Sequence, residues 1–140
     1  MSKRIAIAGK GGVGKTTTSG LIIRSLIDKK MGTVLALDAD PNSNLNEVLG
    51  VEVSSTIGMI REDFKKNAPK MTGGIFKDQM VEMNVHQALV EGRSFDLLVM
   101  GRGEGPGCYC AANNLFKSYI DTLQDNYDWV VMTMKRGWSI

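Results

Sequence analysis

The sequence predicts an α/β fold, a mostly parallel sheet flanked by helices, and three observations predict it. Short apolar runs alternate with longer stretches of helical period, two of those runs bound a strand–helix–strand unit, and a glycine-rich turn joins the first strand to the first helix. RIAIAG is apolar without alternation, as a strand buried on both faces would be. KTTTSGLIIRSLIDKKMG sets Leu21, Ile22, Leu26 and the stem of Lys29 along one side of a helix. Basic residues gather in its last turn, and Gly32 is the expected stop. GTVLALDAD is a second buried strand, so the connection makes these two strands parallel. STIGMIREDFKK and DQMVEMNVHQALVEG look helical on either side of the polar loop NAPKMTGG. FDLLVMG and YDWVVM are two more buried strands. AANNLFKSYIDTL between them spaces Leu115, Phe116, Tyr119, Ile120 and Leu123 to face a sheet.

A chain of 140 residues suffices for one domain with a real core. Its net charge of +2 is too weak to argue for nucleic acid or an anionic membrane as a partner. MSKRIAIAGKGG is interrupted by glycines too early to be a signal peptide, and no stretch approaches the ~20 apolar residues of a membrane span. A cytoplasmic location follows as the expectation, with both cysteines reduced. The lone histidine, His86, falls in a helical pattern far from them and is read as structural or solvated.

Gly9, Lys10, Gly11, Gly12, Val13, Gly14, Lys15 and Thr16 fit the phosphate-loop pattern GxxxxGK[ST], directly after a strand and before a helix. Glycines let successive N–H groups point at phosphate oxygens, and the helix N-terminus adds its positive dipole end. Lys15 then reaches the β- and γ-phosphates, the Thr16 hydroxyl ligates Mg²⁺, and Thr17 holds an α-phosphate oxygen. The expected fold is thus that of a P-loop NTPase, and the expected ligands are ATP and Mg²⁺.

Two carboxylates, Asp38 and Asp40, end the second strand where open α/β sheets place their sites. Asp40, with Pro41 after it, resembles the first switch of the MinD and ParA class of ATPases, which implies that it orients attacking water. The alternative is a polar turn capping the NSNLNEVLG helix, a task open also to Asn42 or Ser43. Cys108 and Cys110, with Tyr109 between them, are too close to pair readily and too few to close a tetrahedral metal site alone. Two copies related by a two-fold axis would supply four thiolates, a set that suits Zn²⁺, Ni²⁺, Cu⁺ or an iron–sulfur cluster. Two inert buried thiols are the bland alternative.

Lys10, the second lysine of KGGVGKT, resembles the signature of the MinD, ParA, nitrogenase iron protein and arsenite-pump ATPases. That resemblance implies a lysine reaching the phosphates bound by a partner subunit, hence a nucleotide-bridged dimer. A lysine solvated at the loop edge is the alternative. The phosphate loop, DADPNSNLNEVLG, FDLLVMGRGEGPGCYCAANN and YDWVVM together resemble the CooC family, accessory ATPases that insert nickel into carbon monoxide dehydrogenase. The GPGCYC segment separates this family from partitioning ATPases of the MinD and ParA kind. Implied are an ATP-dependent homodimer with one Ni²⁺ or Zn²⁺ on Cys108 and Cys110 of both subunits, and apo carbon monoxide dehydrogenase as partner. Lys10, Gly12, Gly14, Lys15, Thr16, Thr17 and Asp40 match the family's nucleotide residues, with Lys10, Lys15 and Asp40 in the catalytic roles. Gly103 departs from an expected proline.

The resemblance runs through Met132, so residues 1–132 read as the N-terminal part of the ATPase domain and 133–140 as an aberrant tail. The family continues with an acidic switch, Asp-Asn-Glu-Ala-Gly-Met-Glu-His, where this chain has TMKRGWSI. Restoring one G before the Thr133 codon lets the reverse-translated tail encode that switch. A reading-frame shift is therefore expected, with a genuine short form as the rival; in either case Thr133 stands where a carboxylate would help hold Mg²⁺ waters. Loss of turnover in this polypeptide, an inactive fragment, is the remaining alternative.

Overall fold

A computed structural model describes residues 2–10, 14–40, 42, 44–67, 74–101 and 110–135. Five strands form one sheet in the order β1-β5-β2-β4-β3. They are β1 (Lys3–Gly9), β2 (Val34–Ala39), β3 (Val90–Glu91), β4 (Asp96–Val99) and β5 (Trp129–Lys135). All neighbours run parallel except β3, which pairs antiparallel with β4. Five helices connect them: α1 (Lys15–Asp28), α2 (Leu45–Leu49), α3 (Ile57–Asn67), α4 (Gly74–Ala88) and α5 (Cys110–Gln124). A mostly parallel sheet between two helical layers is thus the observed architecture. No helix among the described residues is long and apolar enough to cross a membrane.

Alternation along the strands sorts the core into two halves. Val34, Ala36, Leu97 and Val131 face α1 and α2, meeting Ile23, Leu26 and Leu45. Leu35, Leu37, Leu98, Val130 and Met132 face the other way, against Ile57, Ile60, Val81, Val85, Ile120 and Leu123 of α3, α4 and α5. β2 is buried along its whole length because β5 and β4 flank it and helices cover both faces. The aromatic and aliphatic face expected for α5 is present where the side chains are described, at Tyr119, Ile120 and Leu123. His86 is exposed, and its Nε2 lies 2.7 Å from the Tyr119 hydroxyl.

Several local expectations are corrected. β1 is not buried on both faces: it forms the sheet edge, and Arg4, Ala6 and Ala8 are exposed because the α3–α5 layer stops over β5. On α1, Ile23 and Leu26 enter the core, in a stripe with Lys15, Ser19 and Gly20. Leu21 instead stands 64% exposed and lines a cleft of about 430 Å³ with Val48, Leu49 and Phe95. The helix ends at Asp28, and Lys30, with a φ of 51°, turns the chain so that Met31 N–H closes onto Leu26 O; Gly32 lies beyond this turn and no basic residue occupies the helix's last turn. VEG, grouped with a helix by its apolar pattern, opens a short strand instead. YDWVVM extends through Thr133, Met134 and Lys135, which pair with Ile7, Ala8 and Gly9.

The amino ends of the strands are closed by structural polar contacts. Asp128 Oδ2 accepts from Thr33 N at 2.8 Å, and Tyr127 donates its hydroxyl to Asp96 at 2.6 Å. Burial, reinforced by Asp96, raises the Tyr127 phenol above its usual range. At the carboxyl end of β4 the chain is pinned differently. Met100 N donates to Asp38 O and Met100 O accepts from Gly58 N, both at 2.8 Å. Gly101 then takes a φ of +69°, and a Cβ there would lie 2.6 Å from Thr56 Oγ1. Gly101→Ala is therefore expected to cost about 2–4 kcal/mol, from left-handed strain plus overpacking. Gly50→Ala, at φ +71° with nothing near its Cβ, should cost only about 1–2 kcal/mol. Urea unfolding of the two variants checks this, and equal losses would remove the Thr56 contact from the explanation.

Candidate functional site

Four of the elements end on one patch at the carboxyl edge of the sheet. β1 delivers Gly9 and Lys10, α1 begins at Lys15, β2 delivers Asp38 and Asp40, and β5 delivers Thr133 and Met134. Gly14 precedes α1 with φ 87° and ψ 20°, a left-handed turn that glycine adopts without strain. Its carbonyl accepts from Thr18 N at 2.9 Å, starting the helix with no side-chain cap. The first turn of α1 thus directs its N–H donors toward the loop side.

Lys15 is 8% exposed and Asp40 6%. Lys15 Nζ donates to Asp40 Oδ2 and also to Met134 O at 3.2 Å. Two opposite charges buried this deeply require each other, since either alone would carry most of its desolvation cost. Asp40 Oδ1 accepts from Asn42 N at 2.9 Å, an Asx turn that folds the chain back after β2. Asp38, 1% exposed, lies beneath. Its Oδ1 accepts from Thr133 Oγ1 at 3.0 Å and from Asp40 N at 3.3 Å, and its Oδ2 accepts from Leu45 N at 3.4 Å. The start of α2 is thus held by a carboxylate from the strand below, and Ser43 lies outside the described residues.

Of the residues expected in the site, Lys15 and Asp40 meet directly. Thr16 opens the first turn of α1 half-buried, and Thr17 is exposed on the wall of the cleft between α1 and α2. Lys10 is exposed just past β1. Gly9 closes β1 opposite Lys135. Gly11, Gly12, Val13 and Cys108 lie outside the described residues, as does the side chain of Cys110, whose backbone opens α5. Among the described residues no group of three or more His, Cys, Asp or Glu is placed to hold a metal ion. The Lys15–Asp40 contact and the Met134 carbonyl are absent from the sequence reading. Their separations of 25 and 119 residues leave no local signal, and only the strand order brings them together.

The donor set suits a phosphate-rich ligand with a divalent cation. A buried ammonium, the N-terminal turn of a helix and a hydroxyl at the second helical position are the groups that phosphate and Mg²⁺ use. Comparisons with known proteins agree. The chain is 47% identical over 135 residues to the uncharacterized ATP-binding protein MJ0685 of Methanocaldococcus jannaschii, covering 95% of this chain and 53% of that protein. It is 33% identical over 147 residues to the carbon monoxide dehydrogenase accessory protein CooC of Rhodospirillum rubrum, covering 96% and 55%. The solved structure of apo McdA from Cyanothece superposes with a TM-score of 0.63 at 23% identity, over 96% of this chain and 50% of that one. The chain therefore spans about half the length of the relatives it matches. The model of the AAA domain matches residues 2–135, and the chain belongs to that family of ATP-binding P-loop NTPases.

Proposed function

We propose that this chain carries the nucleotide-binding half of an ATP-dependent metallochaperone, which couples ATP binding and hydrolysis to nickel delivery into carbon monoxide dehydrogenase. One observation carries the reading. β4 runs parallel to β2 and leaves the sheet at the Asp40 end, so the segment that holds Cys108 and Cys110 departs from the same edge as the phosphate site. The 33% identity to CooC supports it. Cargo and nucleotide would then act on one interface between two copies.

In this reading the phosphate loop, Gly9 to Thr16 with Thr17, wraps the triphosphate, and Lys15 exchanges Asp40 for the β- and γ-phosphates. The Thr16 hydroxyl would hold Mg²⁺, which would neutralise phosphate charge there. Asp40, released from Lys15, accepts a hydrogen bond from the attacking water. Water adds to the γ-phosphorus as the bond to the bridging oxygen breaks, and ADP leaves. Lys10 of each copy stabilises charge on the phosphates held by the other, and nickel or zinc sits on four thiolates, two from each copy.

The function itself is tested by incubating the nickel-loaded chain with nickel-free carbon monoxide dehydrogenase. CO oxidation should appear with ATP and fail with a non-hydrolysable analogue. Equal activation by free nickel, with or without the chain and ATP, would overturn the proposal.

A further inference from the structure

Thr133 is fully buried on β5, level with Asp38 on β2 and Ile7 on β1. As a β-branched residue inside a three-strand pairing, it has little rotamer freedom, so its hydroxyl is a fixed point. That hydroxyl donates to Asp38 Oδ1 at 3.0 Å. The same carboxylate accepts from Asp40 N at 3.3 Å and Leu45 N at 3.4 Å, both long for charge-assisted bonds. Long bonds of this kind depend on the orientation of the acceptor, and a carboxylate turns about a broad terminal torsion. Thr133 supplies one fixed donor that sets this orientation.

We propose that Thr133 is a positioning residue for the nucleotide site. It orients Asp38, and Asp38 in turn ties down both ends of the segment from Asp40 to Leu45. That segment carries the carboxylate that pairs with Lys15 and begins the helix packed on α1, where Val48 lies against Gly20. The brace therefore sets where Asp40 stands when Lys15 lets go of it. The hydroxyl gives buried Asp38 a neutral donor at the position where the resemblance implied a carboxylate. The functional side of the proposal rests on the nucleotide reading above; the brace itself does not.

The test is residue-resolved amide hydrogen exchange by NMR on the nucleotide-free chain, compared at Asp40 and Leu45. Thr133→Val keeps the shape and removes the donor, so both amides should exchange about tenfold faster, with the unfolding midpoint as a control for global loss. Thr133→Ser restores the hydroxyl and should return both amides to near the original rates. Asp38→Asn gives a second route should Thr133→Val fail to fold: it leaves one acceptor oxygen, so one of the two amides should lose protection and the other keep it. Unchanged protection in Thr133→Val, loss in Thr133→Ser equal to that in Thr133→Val, or equal loss at both amides in Asp38→Asn would each overturn the brace. Adding ATP to the unsubstituted chain separates the two claims. If ATP changes exchange nowhere in residues 14–45, the nucleotide reading fails while the result for the brace stands.

Discussion

Lys15→Ala should reduce ATP binding by about 100-fold or more, equivalent to roughly 2.7 kcal/mol. The ammonium it removes is the one buried cation at the start of α1 among the described residues, and phosphate charge has no equal partner there. Binding is not its only task. Lys15 and Asp40 are 7% and 6% exposed in their side chains, so removing the ammonium strips Asp40 of its counter-charge. A further loss of about 3–5 kcal/mol of folding stability is therefore expected. The Lys15→Met, Asp40→Leu double variant removes both charges and should recover much of that stability while remaining unable to bind ATP. Lys10→Ala, at an exposed position, should spare both stability and ATP affinity and remove only ATP-induced dimerisation. Calorimetry with ATP and chemical unfolding together check this set. Normal dimerisation of Lys10→Ala with ATP would end the trans-acting role.

The second large effect concerns the thiols. Cys108→Ser or Cys110→Ser should abolish tight Zn²⁺ or Ni²⁺ binding, because a four-thiolate site shared by two copies loses two ligands at each substitution. ATP affinity should be unchanged, since neither cysteine belongs to the phosphate loop. Competition with a chromogenic chelator reads the metal affinity. Tight binding that survives both substitutions would place the metal elsewhere.

Much of the fold was legible because its signals are local. RIAIAG, GTVLALDAD, FDLLVMG and YDWVVM all became strands of a mostly parallel sheet, and the helix after the phosphate loop begins at Lys15. What was misread depended on neighbours. Apolar composition cannot tell an inner strand from an edge strand, and β1 becomes an edge only through the order of the sheet. Leu21 and Ile23 are equally apolar, and the angle at which α1 meets β2 and β5 decided which was buried. The two-residue strand β3 is too short to carry a period of its own. In the site, GxxxxGK[ST] marks Lys15 at a glance. Its ion pair with Asp40, the Met134 carbonyl and the Thr133–Asp38 contact are products of topology, joining residues from three strands and one helix. Thr133 was noticeable from sequence only as a substitution at a position where a carboxylate was expected.

The most direct measurement is mass and composition in solution. The chain is 15.3 kDa, and light scattering after gel filtration separates one copy from two. With ATP and Ni²⁺ together, the eluted species should be a dimer holding one nickel and two nucleotides. A monomer under every condition, or one nickel held by each single chain without ATP, would contradict the coupling of nucleotide to a shared metal site.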